Sequence, residues 1–152
     1  MGHKVLEVGA GSGWHASTIA EIVAPSDAPK EKWGHVYTVE IHCELADFAT
    51  ANVERAGYAD RVTIIHGDGS EGYAEEAPFD RVLVTAAAPD IPKPLTDQLK
   101  NGGILVIPVG GVFLYQTLVR VRKRDSRLVE ENLGGVAFVP LTGKYGHSGL
   151  ST

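Results

Sequence analysis

A glycine-rich turn is the first feature of this sequence that suggests chemistry. Gly9, Gly11 and Gly13 alternate with other residues directly after a short apolar run, and a helical pattern follows them. Glycines permit a tight turn and let a ligand approach the backbone, while the start of a helix offers free N–H groups. The turn therefore predicts a ligand held close to the backbone. A plain loop is the alternative interpretation of an isolated glycine motif.

The spacing within this turn argues against ligands that carry a pyrophosphate or a triphosphate. The dinucleotide fingerprint requires a third glycine at the position that Trp14 occupies. A phosphate-binding loop requires a lysine followed by serine or threonine, and residues 12–15 contain no lysine. A compact nucleoside without phosphates fits the turn better.

Two acids follow later strands of the expected fold. Glu40 ends the second predicted strand, where a carboxylate can accept hydrogen bonds from ribose hydroxyls. Asp68 lies between two glycines after the third strand, where it could accept from an adenine amino group. The alternatives are a surface acid that caps the next helix for Glu40 and a turn aspartate for Asp68. Because open α/β sheets bind ligands at the carboxyl ends of their strands, the coincidence of the three features favours a nucleoside site.

Apolar periodicity predicts the elements that position these residues. We expect strands at residues 4–8, 36–39, 62–65, 81–85 and 104–107, and helices at residues 14–23, 45–56 and 94–100. Two further strand-like runs, at residues 114–122 and 128–139, flank a polar turn and predict an antiparallel hairpin. The fold class is therefore α/β, with a mostly parallel sheet, helices on both faces and a C-terminal antiparallel hairpin.

Composition narrows the function classes. The 152 residues are 43% hydrophobic and 22% charged, which predicts a single globular domain over residues 1–152. The formal net charge of -5 argues against a nucleic-acid partner. We expect a cytoplasmic protein, because no apolar stretch approaches a membrane span and no signal-peptide pattern is present. A monomer is also expected. The six histidines show no metal-like spacing, so no metal site is expected.

Several stretches together resemble one family, the protein-L-isoaspartate (D-aspartate) O-methyltransferases. They are residues 5–13, 67–69, 72–80, 84–89, 98–103, 108–110 and 136–141. The glycine motif is shared by many class I S-adenosylmethionine-dependent methyltransferases, whereas residues 67–110 are far more specific. The resemblance implies a Rossmann-like fold and transfer of a methyl group from S-adenosylmethionine to isoaspartyl residues of damaged proteins. The product of the cofactor would be S-adenosylhomocysteine.

The resemblance also implies roles for individual residues. Those expected at the cofactor are Glu7, Gly9, Ala10, Gly11, Gly13, Glu40, Ile41, Asp68 and Gly69. Those expected near the methyl acceptor are Thr85, Ala86, Ala87 and Thr142. No residue is assigned as catalytic, since a carboxylic acid with a pKa of about 4 is already ionised at neutral pH and needs no general base. Catalysis would then rest mostly on in-line positioning of oxygen, methyl and sulfur.

One departure from the family concerns the N-terminus. The family carries several dozen residues before the glycine strand, with a serine-bearing loop and part of the peptide-binding surface, whereas residues 1–3 precede it here. An N-terminally truncated domain is therefore expected. Three hypotheses stay open: an isoaspartyl repair enzyme, another class I methyltransferase acting on a small molecule or RNA, and an inactive cofactor-binding fragment.

Overall fold

A seven-stranded sheet runs through the part of the chain that the structure, a computed structural model, describes: residues 1–112 and 114–150. The strands are β1 (Lys4–Val8), β2 (His35–Glu40), β3 (Val62–His66), β4 (Phe79–Val84), β5 (Leu99–Gly110), β6 (Gln116–Arg124) and β7 (Arg127–Val136). The α-helices are α1 (Trp14–Val23), α2 (Cys43–Arg55) and α3 (Lys93–Asp97). Short 3-10 turns occupy Lys30–Lys32, Gly69–Glu71 and Ala74–Glu76.

The strand order confirms the predicted fold class. It is β3-β2-β1-β4-β5-β6-β7, in which the first five strands pair in parallel and the last two add an antiparallel hairpin. Because the parallel strands share one direction, the turns after β1, β2, β3 and β4 open on the same edge of the sheet. No helix among the described residues is long and apolar enough to cross a membrane.

Helices cover both faces of the sheet because the apolar residues of the strands alternate. On one face, α1 and α2 bury Ile19, Ala20 and Val53 against a cluster that includes Val5 and Val36. On the other face, a second cluster packs around the buried core residues Leu6, Phe79, Val82, Leu95 and Leu105. The glycine turn therefore joins β1, which is packed on both faces, to α1, which packs against one face of the sheet.

The predicted third helix was wrong at its C-terminal end. The structure ends α3 at Asp97, and Leu99 already pairs with Phe79 in the sheet. The Nζ atom of Lys123 donates to the carbonyl oxygens of Thr96, Asp97 and Leu99, which satisfies acceptors that the short helix leaves open. Residues 101–103 then form an irregular part of β5 before Ile104 resumes the pairing with β4.

The predicted hairpin is confirmed with shifted ends. The turn consists of Asp125 and Ser126, both with positive φ (46° and 67°), as a two-residue hairpin turn requires. The last strand ends at Val136 and not at residue 139, because the chain then leaves β6 to bond elsewhere. The single domain over residues 1–152 stays a prediction, and residues 113, 151 and 152 lie outside the described residues.

The packing around Leu105 generates a first test. Leu105 is fully buried in the centre of β5, whereas Leu128 on β7 is 46% exposed. We expect Leu105→Ala to lower the free energy of unfolding by about 2–5 kcal/mol, because it removes buried methyl groups and leaves a cavity. The matched variant Leu128→Ala should cost less than about 1 kcal/mol. Urea denaturation measures both, and equal losses would contradict the assignment of the core.

Candidate functional site

A cleft of about 370 Å³ opens where β1, β2 and β4 end. Its floor is formed by the strand ends, and its opposite wall is the segment that follows β7. Eight of the residues predicted from the sequence line it: Gly9, Gly11, Glu40, Ile41, Gly69, Thr85, Ala86 and Thr142. The other lining residues are Val8, Val39, His42, Leu45, Val139, Pro140 and Leu141.

The carboxylate of Glu40 is held in a fixed position at this cleft. Glu40 is only 5% exposed, and it closes β2 at the sheet edge. One carboxylate oxygen accepts from the backbone N–H of Gly11 and the other from the backbone N–H of His42, each at 3.1 Å. Since each oxygen has two lone pairs, both keep one for a ligand. This geometry suits a pair of neighbouring hydroxyl groups.

Gly9 lies where a side chain cannot fit. Its φ is +96°, and a Cβ placed there would collide with the hydroxyl oxygen of Thr85. That hydroxyl donates to the carbonyl oxygens of Val8 and Gly9, at 2.9 and 3.0 Å. The first glycine of the turn is therefore required both by its backbone conformation and by the contact with β4.

Gly69 brings the loop after β3 onto the same strand ends. A Cβ at this position would lie 2.6 Å from Val8 Cγ1, which is part of the core. The close approach lets the 3-10 turn Gly69–Glu71 cover the end of β1. Gly69 thus lines the cleft with its backbone alone.

Asp68 is engaged by hydrogen bonds within the chain. One carboxylate oxygen accepts from the N–H of Ser70 at 2.9 Å and from its hydroxyl at 2.6 Å. The other accepts from the backbone N–H of Lys144 at 2.7 Å. Asp68 is absent from the lining of the cleft and ties the segment after Leu141 to the loop after β3. The predicted contact with an adenine amino group stays a prediction.

Glu7 lies beneath the cleft and does not line it. It is fully buried, and its two carboxylate oxygens meet Thr38 and His15. The hydroxyl of Thr38 donates at 2.7 Å, and Nδ1 of His15 lies at 2.5 Å. The hydrogen bond with Glu7 raises the pKa of His15, although partial burial of the imidazole opposes the increase. The predicted role of Glu7 beside the cofactor stays a prediction.

Three more predicted residues support the site from outside the lining. The carbonyl of Ala10 accepts from the N–H of Gly13, whose φ of 82° starts α1. Ala87 is fully buried, donates its N–H to the carbonyl of Val139 and accepts from the N–H of Leu141, both at 2.8 Å. These backbone bonds hold the wall of the cleft in place.

Three of the seven lining residues that sequence reasoning missed belong to that wall. Val139 and Pro140 lie far from the glycine turn in the chain, and their side chains carry no chemical signal. His42 is the N-cap of α2 and Leu45 lies in its first turn, where the predicted helix at residues 45–56 gave the only hint. The described residues bring no group of three or more His, Cys, Asp or Glu side chains together for a metal ion.

Comparison with known proteins places this arrangement among methyltransferases. The family model of the protein-L-isoaspartate(D-aspartate) O-methyltransferases matches residues 1–146. A protein-L-isoaspartate O-methyltransferase from Hyperthermus butylicus is 62% identical over 145 residues, which are 95% of this chain and 60% of that protein. One from Korarchaeum cryptofilum is 53% identical over 148 residues, 97% of this chain and 67% of that protein. The chain thus spans about two thirds or less of the length of these relatives.

Solved structures show the same similarity. One protein-L-isoaspartate O-methyltransferase superposes with a TM-score of 0.84 at 31% identity, over 95% of this chain and 44% of that one. Another, from Plasmodium falciparum and described in complex with S-adenosyl-L-homocysteine, gives a TM-score of 0.78 at 26% identity. That match covers 92% of this chain and 66% of the other.

The hydrogen bonds of Asp68 generate a second test. We expect Asp68→Asn to loosen the segment around Lys144, because an amide cannot accept on both sides and leaves a donor facing a donor. Trypsin should then cleave after Lys144 several-fold faster than in the parent protein. Asp90→Asn is the matched control, since Asp90 is exposed and outside the cleft. Equal cleavage rates in all three proteins would mean that Asp68 does not hold this segment.

Proposed function

Because this chain belongs to the protein-L-isoaspartate (D-aspartate) O-methyltransferase family, we propose that it binds S-adenosylmethionine in the cleft beside Glu40. The methyl group would pass to the free carboxylate of an L-isoaspartyl or D-aspartyl residue, and S-adenosylhomocysteine would remain. Methylation of that carboxylate is the first step in the repair of damaged proteins. The observation that carries the proposal is the Glu40 carboxylate, fixed by two N–H groups and open to the cleft.

The residues of the cleft fit this cofactor. The volume of about 370 Å³ lies within the range of about 300–1,000 Å³ that is usual for small-molecule sites. Glu40 offers lone pairs to the two ribose hydroxyls, while Ile41 and Leu45 provide apolar surface for the adenine ring. The turn lacks the lysine of a phosphate-binding loop, which suits a ligand without phosphates. The S-adenosyl-L-homocysteine in the Plasmodium falciparum relative supports the same assignment.

The polar groups of the cleft are consistent with a carboxylate as methyl acceptor. When bound, the cofactor supplies an electrophilic methyl group on a sulfonium. Glu40 and His42 are the ionisable members of the lining, and the hydroxyl hydrogen of Thr85 is directed at backbone carbonyls. No residue is needed to remove a proton, because the acceptor is already ionised at neutral pH. The chain contributes by positioning the reactants.

The acceptor would enter between β4 and the wall of the cleft. Thr85 and Ala86 follow β4, and Thr142 lies on the wall opposite them. Ala86 is small and leaves room for a peptide side chain, whereas Ala87 acts through its backbone bonds to the wall. We further propose a cytoplasmic monomer that acts on isoaspartyl peptides and proteins and not on nucleic acid, in line with the formal net charge of -5.

The decisive experiment compares two peptides that differ in one linkage. The protein is incubated with S-adenosylmethionine labelled in the methyl group and with an isoaspartyl peptide or its normal aspartyl twin. Selective labelling of the isoaspartyl peptide is expected. Equal labelling of both would favour a different class I methyltransferase, to be tested with small molecules and RNA. Binding of S-adenosylhomocysteine without transfer to any acceptor would identify a cofactor-binding unit.

A variant of Glu40 tests the cofactor assignment separately. We expect Glu40→Gln to weaken the binding of S-adenosylhomocysteine by roughly tenfold or more, because hydrogen bonds to a charged acceptor are lost. Glu44→Gln is the control: Glu44 is exposed in the first turn of α2 and does not line the cleft. Isothermal titration calorimetry measures both dissociation constants. An unchanged constant for Glu40→Gln would place the ribose elsewhere.

A further inference from the structure

Glu7 and His15 enclose the glycine turn between them. Glu7 precedes the last residue of β1, and His15 follows the first residue of α1, so residues 9–13 form a loop that their side chains close at its base. Nδ1 of His15 lies 2.5 Å from one carboxylate oxygen of Glu7. The histidine side chain is 47% exposed, whereas that of Glu7 is fully buried. The contact between His15 and Glu7 thus holds the two ends of the turn together, and its titratable histidine is accessible to solvent.

We propose that His15 is a positioning residue for the cofactor turn, and that its charged form holds residues 9–13 ready to bind the cofactor. The inference rests on the proposed function, since it concerns the affinity of that same cleft. His15 does not line the cleft, so it acts through the turn and not by touching the ligand.

The glycine content of the turn explains why holding it at its base matters. Gly9, Gly11 and Gly13 all have positive φ, at 96°, 53° and 82°. Glycine loses more conformational freedom on ordering than any other residue, so a loose turn would lose much of it when the ligand binds. A turn that is already fixed at both ends avoids that loss, and the affinity for the ligand is correspondingly higher.

The charge of His15 matters because its partner is buried. A buried carboxylate is costly unless it is paired or well hydrogen-bonded, and Thr38 supplies only a neutral donor to Glu7. When His15 is protonated, its imidazolium balances the buried charge of Glu7. Deprotonation leaves a neutral N–H donor facing the carboxylate, so the attraction between two opposite charges is lost.

The direction of the pH dependence follows from the same contact. The hydrogen bond with Glu7 raises the pKa of His15, against the opposing effect of burial. Because the pKa of His15 is raised in the folded protein, the ion pair is fully formed below the ordinary histidine pKa of about 6.5. It is lost as the pH rises through the raised pKa of His15. Cofactor affinity should therefore fall on the alkaline side.

Other charged groups near this contact are engaged elsewhere. Glu40 of β2 is held by the N–H groups of Gly11 and His42. Glu21, the acid of α1, bonds to Ser26 and Tyr58 and pairs with Arg61. Glu7 is the charged group that shifts the pKa of His15, and none from α2 or β4 contributes to that shift within the described residues.

The test measures binding of S-adenosylhomocysteine by calorimetry between pH 6 and pH 9, on the full chain. We expect the affinity of the parent protein to fall about fivefold across this range, the scale of the difference between an ion pair and a hydrogen bond from a neutral donor. His15→Gln keeps a neutral donor and should lose the part of this fall that comes from His15, so that it binds more weakly than the parent at pH 6 and about as tightly at pH 9. His15→Ala should bind more weakly at every pH.

A matched control removes a histidine from the other end of β1. His3 precedes β1 at its amino end and does not line the cleft, so His3→Gln should keep the pH dependence of the parent. The ionisable groups of the ligand titrate alike with every variant and cancel in the comparison.

The outcomes separate the two proposals. Parallel profiles for the parent and His15→Gln would overturn the role of His15 and leave the cofactor assignment intact. A His15→Gln variant with a lower melting temperature but the same pH dependence of affinity would also overturn the role of His15, because a purely structural contact would give that result. Absence of binding in the parent protein would overturn the cofactor assignment and this inference with it.

Discussion

The candidate site depends on a backbone that turns sharply while it remains bonded to the strands on both sides. At the end of β1, the N–H of Gly9 donates to Val39 of β2, and the carbonyl of Val8 accepts from the N–H of Thr85 beyond β4. The hydroxyl of Thr85 then fills the space that a side chain at Gly9 would need. Only a residue without a Cβ allows both the positive φ and this contact. The cleft exists because the chain departs from the sheet edge here without separating the strands.

The same constraint determines how the rest of the cleft is built. Since the floor consists of backbone, its walls come from segments that are distant in sequence. Ala87 binds Val139 and Leu141 through its own N–H and C=O, so the chain after β7 is drawn across the end of β4. Asp68 then fixes the next residues through the N–H of Lys144. Because β7 ends at Val136, the residues that follow it form the wall of the site and do not extend the hairpin.

Sequence reasoning succeeded where the signal was local. The glycine turn, the apolar strands and the acid at the end of β2 could be read within windows of a few residues, and the structure gathers Gly9, Gly11 and Glu40 at one cleft. It failed where the cause was a contact between distant segments. The end of α3 depends on Lys123, and the wall of the cleft depends on backbone bonds that any residue could make. Side-chain identity carries no record of such bonds, so periodicity alone could not reveal them.

Three acids lie in or just after the parallel strands of the sheet, and their surroundings give them different chemistry. Glu7 is buried, and its two carboxylate oxygens meet His15 and Thr38. Asp68 accepts three hydrogen bonds from its own chain and connects the loop after β3 to the segment around Lys144. Glu40 accepts one N–H on each oxygen and lines the cleft, so it alone of the three combines a fixed position with free lone pairs that face a ligand. Position at the sheet edge is therefore insufficient to define a ligand-binding acid. Glu7 and Glu40 each meet two internal donors, and Glu40 differs because it lines the cleft.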